Sequence, residues 1–137
     1  MIAAGLAGRI AVVASVDAFY SSINHPAYGV AKAGLLSLVK TMAHEWGPYG
    51  IRVNAVAPDA VLTPRVRAMI AERGFDPDVG TPQPARPLRR SCSPAEIAAP
   101  LVFLVSNLSS FVSGQTLVVD GGLFWVPAGR EGGQAGG

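Results

Sequence analysis

The chain has 137 residues, 50% of them hydrophobic and 15% charged, with a formal net charge of +2. This composition excludes a disordered chain and a coiled coil, and the length suits one domain able to bury a core. The small charge gives no footprint for nucleic acid or an anionic membrane, and the single cysteine, Cys92, excludes an internal disulfide framework. With only His25 and His44 besides, no metal site is expected. No uncharged apolar run reaches the roughly 18 residues of a membrane span. Met1 to Ser15 is apolar but lacks the basic start of a secretory signal, and Arg9 interrupts it, so a cytoplasmic protein is expected.

The elements follow in chain order. Ile10 to Ala14 is a continuous apolar run, the pattern of a strand buried on both faces of a parallel sheet. Ser15 to Pro26 has no period and reads as a loop. Ala27 to Trp46 has helical spacing, with Val30, Ala31, Leu35, Leu38, Val39, Met42 and Trp46 forming an apolar stripe. Gly47-Pro48 ends that helix. Ile51 to Ala57 is a second strand, so strand, helix and strand make a βαβ unit and the fold class is α/β with a parallel sheet. Arg65 to Arg73 suits a short helix, and the prolines between Gly74 and Pro94 predict a long loop. Ser93-Pro94-Ala95-Glu96 opens a further helix through a capping box. That helix runs to about Asn107 with Ile97, Leu101, Leu104 and Val105 inward, and Pro100 is expected to kink or loosen it. Thr116 to Val119 is a third strand closed by Gly121-Gly122. The domain is placed at 1–126, and the glycine-rich segment 127–137 is expected to be disordered.

Three residues carry the chemistry. Tyr28 and Lys32 are four apart at the start of a helix, which puts them on one face, one turn apart. Ser15 follows a buried strand, at the carboxyl edge where α/β sheets bind ligands. A phenol beside an ammonium has its charged form favoured, which suits it to give and take a proton. A serine hydroxyl nearby can bond the same substrate oxygen. The competing reading makes Tyr28 a core residue with its hydroxyl at the surface.

The residues around this trio decide between the two. Gly8-Arg9-Ile10-Ala11-Val12-Val13-Ala14-Ser15 precedes Tyr28-Gly29-Val30-Ala31-Lys32-Ala33-Gly34, with Tyr28 thirteen residues after Ser15. Gly50-Ile51-Arg52-Val53-Asn54-Ala55-Val56-Ala57-Pro58 and Ser113-Gly114-Gln115-Thr116-Leu117-Val118-Val119-Asp120-Gly121-Gly122 follow in order. In these four segments the sequence resembles the short-chain dehydrogenase/reductase family over about residues 1 to 124. The resemblance implies a Rossmann-type sheet and an oxidoreductase using NAD or NADP on a small-molecule carbonyl or alcohol. It implies Tyr28 as general acid/base, Lys32 as the residue that tunes Tyr28 and holds the nicotinamide ribose, and Ser15 as the residue that orients the substrate oxygen. Pro58, Val61 and Thr63 would line the nicotinamide; Thr63 equally suits a cap or turn. Family members use the helix carrying Tyr28 at a dimer interface, so a homo-oligomer is implied, with core packing as the competing use of that face.

The sequence also departs from the family. It has no glycine-rich turn to seat a pyrophosphate, no counterpart of the family's catalytic asparagine, and no residue that selects NAD over NADP. Asp59 stands where the family has glycine. The chain therefore looks like the carboxyl-terminal half of such an oxidoreductase, with the family's strands five to seven side by side and an open edge on the first. The alternative function is an inactive fragment or oligomerisation module. Residues 65 to 90 carry six arginines against three acids, which suits either a solvated loop or a lid favouring anionic substrates.

Overall fold

The computed structural model describes residues 1–20, 24–76 and 87–123. Its regular elements are β1 (Gly8–Val13), α1 (Pro26–Trp46), β2 (Ile51–Pro58), α2 (Pro64–Glu72), α3 (Pro94–Val105) and β3 (Thr116–Val119). The strands form one parallel sheet in the order β1-β2-β3. The α/β architecture and parallel sheet expected from the sequence are present, with β1 starting two residues earlier than the apolar run suggested. The segment 127–137 and much of the proline-rich loop lie outside the described residues.

The two helices that follow the βαβ logic cover opposite faces of the sheet. On β2 the odd positions Ile51, Val53, Ala55 and Ala57 pack against Leu36, Val39, Met42, Ala43 and Trp46 of α1. The even position Val56 packs with Ile97, Leu101 and Leu104 of α3. This alternation is the two-residue period of a strand buried on both sides. Every residue of β2 is buried except Arg52, which is half-buried.

The expectation that the first strand is buried on both faces is corrected only in depth: Ile10 and Val12 pack with the α1 cluster and Ala11 with that of α3, but all three are half-buried. Among the described residues β1 pairs only with β2, and its Val13 is 45% exposed. Both strands are apolar runs; β2 is the central one because it has a partner on each side. The helical stripe is corrected too. Val39, Met42 and Trp46 face the core, but Val30 is 74% exposed and Leu38 is exposed, while Leu36 and Ala43 turn inward. The inward arc begins only where α1 passes over β2. Val105 likewise points outward at the end of α3.

Helix ends are set by local chemistry. Ser93 caps α3 in a full capping box with Glu96, and the helix continues through Pro100. α1 ends at Trp46, directly before the Gly47-Pro48 pair that the sequence marks as its stop, and Gly47 closes it without a left-handed cap. Its φ is −53°, and the chain turns through a 3-10 segment, Gly47–Tyr49, before Gly50 takes φ +70°. Only at Gly50 does the turn into β2 need a positive φ, which glycine adopts without strain.

Two polar side chains of β2 tie distant parts of the fold together. Asn54 is fully buried; its Nδ2 donates to Val112 O at 2.9 Å and its Oδ1 accepts from Gln115 N–H at 3.0 Å. Arg52 donates to Leu104 O, Ser106 O, Ser109 Oγ and Val112 O at 2.9–3.1 Å. These bonds fix the end of α3 and the turn before β3 against the sheet. The carbonyls freed at the end of α3 thereby gain a cation, favourable at a helix C-terminus.

Candidate active site at the carboxyl edge of the sheet

The carboxyl ends of the parallel strands collect most of the residues that the sequence singled out. β1 ends at Val13, Ala14 N–H still donates to Val56 O at 2.8 Å, and the chain then turns away. Ser15 caps that turn, the 3-10 segment Val16–Ala18, accepting from Asp17 N–H at 3.2 Å. Ser15 is buried. α1 begins at Pro26, where proline's fixed φ suits the first helical position. Tyr28 lies in that first turn and is 45% exposed.

Lys32 joins the two elements. Its Nζ lies 5.5 Å from the centroid of the Tyr28 ring, within cation–π range. The same amine donates to Val13 O at 2.9 Å. Residues two apart along a strand share a bonding direction, and Gly8 and Ala14 donate toward β2. Val13 O therefore points to the open edge of β1, and Lys32 caps it. Among the described residues no hydrogen bond joins Ser15 to Tyr28; Ser15 Oγ is engaged by the Asp17 N–H instead.

The end of β2 supplies the second wall. Pro58 is the buried last residue of the strand and pairs with Val119. Val61 forms an isolated parallel bridge with Cys92, and Leu62 N–H donates to Cys92 O at 2.8 Å. Thr63 caps α2, its Oγ1 accepting from Val66 N–H at 3.3 Å and leaving its own O–H free to donate. Cys92, which the sequence left without a role, packs in the core beneath α3, and burial first, then Glu96, pushes its thiol up from the ordinary value.

Two hollows open at this edge. One of about 360 Å³ lies beside the start of α1, between Asp17, Ala18, Tyr20, Pro26, Gly29 and Val30. A smaller one, about 80 Å³, lies at the ends of β2 and β3 by Asp59 and Asp120. Tyr20 was missed in the sequence. Burial pushes its phenol up from the ordinary value, and the carboxylates of Asp120 and Asp59 push it further, so the loop after β1 is in electrostatic reach of both other strand ends.

No cluster of three or more His, Cys, Asp or Glu is placed to hold a metal among the described residues. No described helix is long and apolar enough to cross a membrane.

Comparison with known proteins settles the family. Residues 1–124 match the family model described as enoyl-(acyl carrier protein) reductase. An uncharacterized short-chain type dehydrogenase/reductase of Sinorhizobium fredii is 42% identical over 121 residues, covering 88% of this chain and 21% of that protein. The chain belongs to the short-chain dehydrogenase/reductase family. The L-rhamnose 1-dehydrogenase (NAD(P)(+)) of Azotobacter vinelandii is 39% identical over 88% of this chain and 46% of its own length. The crystal structure of acetoin dehydrogenase YohF from Salmonella typhimurium superposes with a TM-score of 0.74 at 36% identity, over 90% of this chain and 45% of that one. The chain thus spans about half the length, or less, of these short-chain dehydrogenase/reductase relatives.

The residues present fit one end of a nicotinamide dinucleotide. Lys32 keeps ammonium protons beyond the one given to Val13 O, and the Thr63 hydroxyl is free to donate. These 137 residues hold no glycine-rich turn to seat the pyrophosphate.

Proposed function

We propose that these residues form the proton-transfer half of an NAD- or NADP-dependent oxidoreductase acting on a small-molecule carbonyl or alcohol. The observation that carries the reading is the Lys32 amine held over the Tyr28 ring at the carboxyl edge of the sheet. Relatives support a small-molecule substrate: one is an L-rhamnose 1-dehydrogenase and another an acetoin dehydrogenase.

A dihydronicotinamide, once held by Lys32 and Thr63, would supply the hydride that the carbonyl carbon takes up in the reducing direction. Tyr28 O–H gives its proton to the carbonyl oxygen, so the product is the alcohol and Tyr28 is left as a phenolate, reprotonated from solvent. Oxidation runs the same transfers backwards. Lys32 stabilises the phenolate by its charge and donates to the ribose hydroxyls, while its bond to Val13 O keeps the long side chain from swinging into water. Ser15 orients the substrate oxygen, which requires its hydroxyl to turn its proton toward the cleft while its lone pair holds Asp17 N–H. Pro58, the Val61 backbone and the Thr63 hydroxyl line the nicotinamide.

One second reading has support of its own. Among the described residues the outer edge of β1 carries no strand. That edge suits an oligomerising module without activity of its own, for which the exposed Val30 and Leu38 on α1 offer an apolar face toward a second copy. Fluorescence titration of the 137-residue chain with NADH and NADPH separates the two. Saturable binding, weakened at least about tenfold in Lys32→Ala, is expected if the nicotinamide end of the site is formed. No saturable response to either nucleotide favours the module.

A further inference from the structure

The amino-terminal edge of the sheet has a larger concavity, about 480 Å³, floored by the first residues of β1 and β2. Strands of this length, at about 3.3 Å per residue, put it roughly 20 Å from the Ser15 end. Arg9 and Arg52 both line it. They are register partners in the β1–β2 ladder, so two guanidinium groups stand side by side on one face of the sheet. Like charges directly opposite in a ladder are destabilising unless something neutralises them.

The two arginines are compensated unequally. Arg52 has its four oxygen acceptors at the end of α3 and the turn beyond it. Among the described residues Arg9 has one acceptor, the uncharged Asn107 Oδ1, which engages few of its guanidinium donors. No Asp or Glu lines the concavity. Burial, and then the neighbouring charge of Arg9, hold the Arg52 guanidinium below its ordinary value. Ser110, Phe111 and Ser113 also line it, and Phe111 is fully exposed.

We propose that this concavity binds a phosphomonoester, with Arg9 and Arg52 neutralising the phosphate and Phe111 lying against the organic part. Charge selects the group. A phosphomonoester carries about −1.5 to −2 at neutral pH and matches two cations, whereas one carboxylate leaves a positive charge over. Guanidinium presents parallel N–H donors to such oxygens, and Arg9 can exchange its one bond to an uncharged amide for bonds to a charged oxygen. The concavity is within the usual size range of small-molecule sites, roughly 300–1,000 Å³. It is independent of the dinucleotide reading, because it lies at the other end of the strands.

Calorimetric titration of the purified chain at low salt tests this, with phenyl phosphate and inorganic phosphate as probes. Phenyl phosphate is expected to bind one per chain and more tightly than inorganic phosphate. Arg9→Gln should weaken phenyl phosphate at least about tenfold, as loss of a charge-assisted contact requires, while the distant Lys40→Gln changes it less than about twofold. Phe111→Ala should reduce phenyl phosphate to the level of inorganic phosphate; Phe111 is fully exposed, so its loss leaves the fold unaffected. Absence of saturable binding, equal losses in Arg9→Gln and Lys40→Gln, or an unchanged preference in Phe111→Ala overturns the proposal.

Discussion

Glu96 shows how much one side chain can do at a helix start. It accepts from Ser93 N–H at 2.9 Å and from the Arg90 guanidinium at 2.9 and 2.6 Å. The Arg90 bond first, then those from Ser93, hold its carboxyl down at about 2. A folded-state value below the unfolded one means that the carboxylate stabilises the fold. That contribution is complete above about pH 4.5, the unfolded value, and is lost as pH falls toward about 2. Glu96→Gln should therefore lower the urea midpoint at pH 7, and the gap to the wild-type chain should close as the pH is brought down to 2. A gap that stays constant with pH would show that the carboxylate is not what holds the cap. The capping box was legible in the sequence because its partners are three residues apart. Arg52 and Asn54 were not, because their acceptors lie more than fifty residues further on and only the folded chain brings them together.

At the scale of elements, α1 separates what periodicity can reveal from what it cannot. Helical spacing placed the helix to within a residue of its observed start. The direction of its apolar arc was not legible, since residues at both Val30 and Val39 fit a stripe. The sheet decides: Val39 sits over β2 with no exposed surface, and Val30 lies beyond it. Val39→Ala is expected to cost about 2–3 kcal/mol through lost burial and the cavity left behind. Val30→Ala should stay within about 0.5 kcal/mol. Chemical denaturation of the two variants measures both; equal costs would mean that α1 is rotated from the position described. The same limit explains β1 and β2. Two apolar runs look alike in their own residues; only the family resemblance put the first at an open edge, and the order β1-β2-β3 agrees with it.

For the whole molecule, the carboxyl edge was the part of the site most open to sequence reasoning. Tyr28 and Lys32 share a helix turn, and parallel strands deliver their ends to one side. The Lys32–Val13 bond was not open to it, because the open edge expected for the first strand does not say which side chain reaches a strand carbonyl nineteen residues away. That edge offers backbone donors and acceptors to another strand, and such edges promote association. Sedimentation velocity should show species that grow with concentration, and Val13→Glu on the edge strand should suppress them; a monomer at every concentration would count against an accessible edge. The claim on which the functional account turns is that Tyr28 moves the proton. Its most direct test joins these 137 residues to the amino-terminal half of one of the dehydrogenases they match and measures carbonyl-dependent oxidation of NADH and NADPH. Tyr28→Phe should cut turnover at least about a hundredfold while leaving nucleotide affinity unchanged, as loss of a general acid does. Turnover retained in Tyr28→Phe would contradict it.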